Sequence, residues 1–160
     1  EILSRGPALM DGYWNDTGAT AEALRGGWMH TGDLGYRSED GYLFITDRLK
    51  DMIVSGGENV YPREVEDILH EHPAVLEVAV IGLPDERWGE RVHALVVLKA
   101  GAHALASELT ELCRSRLANY KVPKTFEFVD DLPKNATGKV LKRTLRDQYA
   151  PEPARPGPGS

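Results

Sequence analysis

The 160-residue chain has one cysteine, no long apolar run and no paired histidines, and each shortage closes off a class of function. A lone Cys113 cannot form an internal disulfide, and its helical spacing with Leu109 and Leu117 marks a small buried hydrophobe rather than a nucleophile. The longest apolar stretches, such as Val78-Ala-Val-Ile-Gly-Leu83, fall far short of the ~20 residues a membrane helix needs. No charged-then-apolar leader opens the chain. No membrane insertion or export is implied, and a cytoplasmic location is the expectation. None of the five histidines has a metal-ligand partner at useful spacing, so no metal site is expected in this chain; His30 is expected to brace the turn from Trp28 to Asp33. No internal repeat is present. The length suits one domain and falls short of two full ones.

The formal net charge of -6 conceals a division. Residues 58–90 hold nine acids against Arg63 and Arg87, whereas residues 114–146 hold nine bases against Glu127, Asp130 and Asp131. A basic end on an acidic chain points to a small phosphorylated ligand and away from nucleic acid, which wants a larger basic field and a readable motif. For Lys142, Arg143 and Arg146 the expectation is a solvated helix face.

Up to residue 50 the pattern is short strands and turns, with Gly26-Gly27 and Asp40-Gly41 as turn signals and residues 42–46 reading as a buried strand. This portion begins abruptly with Glu1-Ile-Leu-Ser-Arg and reads as a cut edge of something larger. From Pro62 the spacing of Val65, Ile68, Leu69 and His72 predicts an amphipathic helix ending near Pro73. Residues 75–83 and 91–99 read as strands around an Asp-Glu-Arg-Trp-Gly turn. Leu109, Leu112, Cys113 and Leu117 mark a second helix, residues 125–129 a third strand, and residues 140–149 a short basic helix. The expected class is α+β, a small mixed sheet flanked by helices. Residues 150–160, rich in proline and glycine, are expected to be a disordered tail.

The chemistry-bearing loop is Leu132-Pro-Lys-Asn-Ala-Thr-Gly-Lys-Val140, where Gly138 permits positive φ and Lys139 supplies a mobile point charge for an anion. It is not a Walker phosphate loop, since Pro133 replaces the first glycine and Val140 the magnesium-binding Ser or Thr. Taken alone, it is equally a surface turn. Three further motifs precede it: Gly27-Trp-Met-His-Thr-Gly-Asp-Leu-Gly-Tyr36, Ile45-Thr-Asp-Arg-Leu-Lys-Asp51 and Ser55-Gly-Gly-Glu-Asn-Val-Tyr-Pro62.

In that order, the four motifs resemble the carboxy-terminal part of the adenylate-forming superfamily of acyl-CoA synthetases, peptide-synthetase adenylation domains and beetle luciferases. The resemblance runs from about Gly6 to about Tyr149. It implies that residues 1–49 are the end of a large ATP-binding domain and residues 50–149 a mobile lid with its hinge at Lys50. By the same resemblance, Asp33 and Arg48 contact the ribose of ATP or AMP, and a carboxylate suits the task because an ionised acceptor holds two hydroxyl donors. Lys139 is the implied catalytic residue, joining carboxylate and α-phosphate. Ser55, Gly56, Gly57 and Glu58 line the pantetheine path of CoA, with Glu58 and Asn59 orienting the loop or the substrate end. Trp88 and Tyr120 flank its adenine, and Lys121 and Lys124 meet its phosphates. Each position also has a plain structural reading: a turn aspartate, a solvated lysine, a hairpin, partly buried aromatics.

The implied partners are a carboxylic acid, ATP with Mg2+, CoA and the remainder of the chain's own amino-terminal domain, where the magnesium site is expected. A chain of this extent is expected to be inactive alone. Alternatives are a peptide-synthetase-like adenylation domain, a luciferase-like oxidation, and a non-catalytic module that binds CoA or a partner. The wording of residues 47–62, with Trp88, favours free-standing acyl-CoA synthetases.

Overall fold

The computed structural model describes residues 1–150, so most of the expected tail lies outside the described residues. The chain divides into two compact units, Glu1–Lys50 and Asp51 onward, one residue later than the division expected at 49 and 50.

The first unit contains β1 (Leu3–Ser4), α1 (Thr17–Ala23), β2 (Met29–His30), β3 (Asp33–Arg37) and β4 (Leu43–Arg48). β1 pairs with β2 and β3 with β4, both antiparallel. α1 departs from the expectation of strands and turns alone. It starts because the Asp16 carboxylate accepts the Ala19 N–H at 2.8 Å and satisfies a donor that the first helical turn leaves open. The strand expected at 42–46 forms but is not buried, with Tyr42 71% and Ile45 67% exposed. An apolar run reports strand propensity, whereas burial needs a covering layer, and β4 pairs only with β3.

The second unit contains β5 (Ile53–Ser55), β6 (Glu58–Val60), α2 (Pro62–His70), β7 (Val75–Asp85), β8 (Gly89–Leu98), α3 (Ala106–Arg116), β9 (Thr125–Phe128) and α4 (Lys142–Tyr149). β7 and β8 form a long antiparallel hairpin, while β9 joins β8 in parallel and makes the sheet mixed. Both faces of this hairpin are covered, which is why its strands read as near-continuous apolar runs. Val78, Val80, Val92, Ala94 and Val96 pack under Val65 and Leu69 of α2 and Leu109 and Cys113 of α3. Ala79, Ile81, Leu83, Leu95 and Val97 face the other way, toward Leu132 and Leu145 of α4. One residue of register slip would exchange these two sets.

Helix ends follow local chemistry. Pro62 opens α2, where a missing N–H costs nothing, and the Leu105 N–H ahead of α3 donates to Glu108 Oε2 at 2.7 Å. β7 has no strand on its outer edge, and the Glu66 carboxylate blunts that edge by accepting the Val80 N–H at 2.8 Å. The expected solvated face of α4 is corrected at two of three positions. Lys142 pairs with Glu66 at 2.7 Å and Arg146 with Asp51 at 2.9 Å, because α4 lies flat on the sheet and its basic residues reach carboxylates at its margins. Arg143 is exposed.

Candidate nucleotide and thiol site

In the first unit, β3 and β4 place Asp33 and Arg48 directly opposite each other. Arg48 Nε lies 2.9 Å from Asp33 Oδ1. Arg48 is 46% exposed, so the pair adds little to stability. The Asp33 N–H donates to Thr31 Oγ1 at 3.1 Å, and Thr31 Oγ1 donates to the Ile2 carbonyl at 2.7 Å, fixing the strand entry. His30 Nδ1 lies 2.7 Å from Glu1 Oε2, while Glu1 Oε1 accepts the Gly32 N–H at 3.0 Å. The hydrogen bond from His30 holds the Glu1 carboxyl below the ordinary carboxylate range. Lys50 is exposed in a short 3-10 turn, Leu49–Asp51.

In the second unit, β5 and β6 are joined by Gly56 and Gly57, whose φ values of 62° and 85° give the double left-handed conformation of a tight hairpin. Ser55 is 2% exposed, whereas Glu58 and Asn59 are exposed. Gly56 abuts an aromatic ring: its N–H donates to the Trp88 carbonyl at 2.8 Å, and a Cβ at Gly56 would sit 2.9 Å from Trp88 Cε3. Two cations approach the Trp88 ring, with the Arg87 guanidinium 4.8 Å and the Lys124 ammonium 5.3 Å from its centroid. The Asp85 carboxylate organises the turn by accepting the Arg87 and Trp88 N–H groups at 3.0 Å each. Ser55, Gly56, Trp88 and Lys124 therefore share one locus. Tyr120 packs against the α2–α3 core, and Lys121 Nζ lies 2.7 Å from both Glu64 oxygens, so its charge is already matched.

Lys139 stands on the carboxy-terminal arm of a small hairpin whose turn is residues 136–138, with the Asn135 N–H donating to the Lys139 carbonyl at 2.9 Å. Lys134 and Val140 form an antiparallel bridge at its base. Asn135 Oδ1 accepts the Thr137 N–H at 3.0 Å, the Thr137 hydroxyl at 2.8 Å and the Lys139 N–H at 2.9 Å. Gly138 has φ 81° with no atom near its absent Cβ, so it is there for conformation and not for close approach. Lys139 is exposed and has no carboxylate partner among the described residues. Among those residues no three His, Cys, Asp or Glu side chains converge on a metal site. No step is accordingly assigned to a metal held by this chain.

Sequence reasoning missed the carboxylates that manage these cations. Glu64, Glu66 and Glu77 carry no motif, Asp51 has no assigned role in its own, and pairs such as Arg146 with Asp51, 95 residues apart, have no local signal.

Residues 64–139 match the family described as the AMP-binding enzyme C-terminal domain. The chain is 54% identical to a long-chain-fatty-acid–CoA ligase of Bacillus subtilis, over 92% of this chain and 26% of that protein. It is 49% identical to a fatty acid–[acyl-carrier-protein] ligase of Streptomyces coeruleorubidus, over 97% of this chain and 30% of that one. Among solved structures, o-succinylbenzoate CoA synthetase from Bacillus subtilis, in complex with its acyl-adenylate intermediate, superposes with a TM-score of 0.85 at 45% identity. That match covers 95% of this chain and 31% of the synthetase. The chain thus spans about 26–31% of the length of these relatives. Four motifs in order, the small mixed-sheet fold and these matches together make the chain a member of the adenylate-forming superfamily of AMP-binding enzymes, corresponding to its carboxy-terminal part.

Proposed function

We infer that the chain is the carboxy-terminal portion of an ATP-dependent carboxylate–CoA ligase. A carboxylate oxygen attacks the α-phosphorus of ATP, the bond to pyrophosphate breaks, and an acyl-adenylate forms. A thiolate then attacks the acyl carbon and AMP leaves with the bonding pair. Lys139 gathers the carboxylate and α-phosphate and offsets the negative charge that concentrates between them. Asp33 accepts the ribose hydroxyls and Arg48 supports it. Lys50 is the pivot between one orientation that presents Lys139 and another that admits the thiol along residues 55–58. Trp88 offers a π-face to the CoA adenine, and Tyr120, which packs against the α2–α3 core, is the second aromatic assigned to it. Lys124 is placed to meet a phosphate, while Lys121 does so only by exchanging Glu64 for the ligand.

The observation that carries this reading is Lys139, an exposed ammonium on the arm of an ordered hairpin with no carboxylate partner among the described residues. In the longer protein that contains this chain, Lys139→Ala is expected to slow carboxylate-dependent pyrophosphate release by ~10² to 10³. Transfer from preformed acyl-adenylate to CoA should be nearly untouched. Equal losses in the two half-reactions would defeat the two-orientation reading.

A second reading concerns the acceptor. Because a fatty acid–[acyl-carrier-protein] ligase is similar to nearly the whole chain, this reading assigns the thiol to a carrier-protein arm instead of free CoA. Product formation with each acceptor separates the two.

A further inference from the structure

Three lysines stand in residues 134–142, and two of them are neutralised in place. Lys134 Nζ lies 2.7 Å from Glu77 Oε2, and Lys142 Nζ lies 2.7 Å from Glu66 Oε1. Lys139 alone among the three has no carboxylate partner in the described residues. The Glu66 pair is the more sheltered, with side chains 16% and 13% exposed against 31% and 35% for the Glu77 pair.

Glu66 belongs to α2, whose core residues lie on the opposite face of the sheet from those of α4. It reaches Lys142 around the free edge of β7, and the same carboxylate oxygen accepts the Val80 N–H at 2.8 Å. A neutral glutamine would serve to block that edge. The ionised group is needed only for Lys142, and the two charges, once sheltered, hold each other firmly because either one left alone is poorly solvated. Between Lys139 and Lys142 the chain has little slack: Val140 bridges to Lys134, and the Leu141 N–H donates to the Pro133 carbonyl at 2.8 Å. Both stems of the hairpin are thus tied to acids that flank β7.

We propose that Glu66 and Lys142 are positioning residues for Lys139, joining the carboxy-terminal stem of its hairpin to the edge of β7 so that the one ammonium of these three without a carboxylate partner is held out at a fixed place. Lys134 and Glu77 form the second, more exposed tie. The proposal rests on the reading that Lys139 acts in adenylate formation.

The test uses the longer protein containing this chain, with pyrophosphate release and acyl transfer from preformed adenylate measured separately. Since a displacement of 1 Å can cost ~10²-fold, Glu66→Gln and Lys142→Met are expected to lower kcat for pyrophosphate release about 10- to 100-fold. KM for ATP and the transfer half-reaction should each change by less than about threefold, the split that marks loss of a contact made in the transition state. Lys142→Arg, which restores the charge, should recover most of the rate. Should Glu66→Gln fail to fold, Lys142→Met and Lys142→Arg decide, because both leave Glu66 on Val80. Losses equal in both half-reactions and tracking a lowered Tm would mean a merely structural pair and overturn the proposal. Wild-type pyrophosphate release in Lys142→Met, with Lys139→Ala inactive, overturns the positioning role and leaves the role of Lys139 standing. Full pyrophosphate release in Lys139→Ala overturns both.

Discussion

At the scale of single residues, the two hairpin glycines separate conformation from contact. Gly56 and Gly57 both have positive φ, but only at Gly56 would a Cβ strike Trp88. A left-handed conformation costs an L-residue about 1–2 kcal/mol, so Gly57→Ala is expected to destabilise the second unit by that much in urea unfolding. Gly56→Ala should cost more and, in a Trp14→Phe, Trp28→Phe background, should also shift Trp88 emission. An emission change in both variants, or in neither, would mean that Trp88 does not rest on Gly56. The dipeptide was legible as a turn, since adjacent glycines between strands announce a hairpin. That one of the two is also the floor beneath an aromatic ring was not, because Trp88 comes from the β7–β8 turn.

Among the elements, β8 carries a titratable group in its buried run. His93 is 5% exposed, its Nδ1 lies 2.7 Å from Thr125 Oγ1 on β9, and its ring centroid is 5.7 Å from that of Tyr149 on α4. Burial pushes His93 below its ordinary value of 6.5, Glu127 opposes the shift and Arg91 adds to it. The unfolded chain therefore binds a proton that the folded one refuses. Stability should be fully present above pH 6.5 and fall as the pH drops from 6.5 toward the lowered folded value. Urea unfolding between pH 5 and 8 measures this slope, and His93→Gln should flatten it. An unchanged slope in that variant would show that His93 is not its source. Apolar runs on either side of a turn placed β7 and β8 from sequence. What lay over each face was not readable, and β4 shows why: an equally apolar run formed its strand and stayed exposed.

For the whole molecule, Cys113 reports on cooperativity. It is fully buried under α2 and α3, and burial pushes its thiol up to about 11. Because the thiolate is the reactive form, alkylation at pH 8 requires opening of the α2–α3 layer. The rate in the folded protein is expected to be lower than in the urea-unfolded chain by roughly 10³-fold or more, as for a domain whose open form is rare. A slowing of only a few-fold would mean that α3 frays independently of the sheet. The fate of the segregated charge is also decided at this scale. The basic window read from sequence as a partner for a small phosphorylated ligand, yet part of its charge is matched internally, through Lys121 with Glu64, Lys134 with Glu77, and Lys142 with Glu66.

The sequence by itself determined the three helices and three of the strands of the second unit, the turn glycines and the order of four motifs that marks the superfamily. These depend on apolar runs, on the 3.6-residue period and on conformations open to glycine, all of which are local. Only the tertiary structure decided which of the three lysines in residues 134–142 are paired with acids and which is left without one. Lys134, Lys139 and Lys142 are equivalent as letters. They differ because the path of β7 brings Glu77 to the first, the wrap of α2 around the sheet edge brings Glu66 to the last, and no acid comes to Lys139 between them.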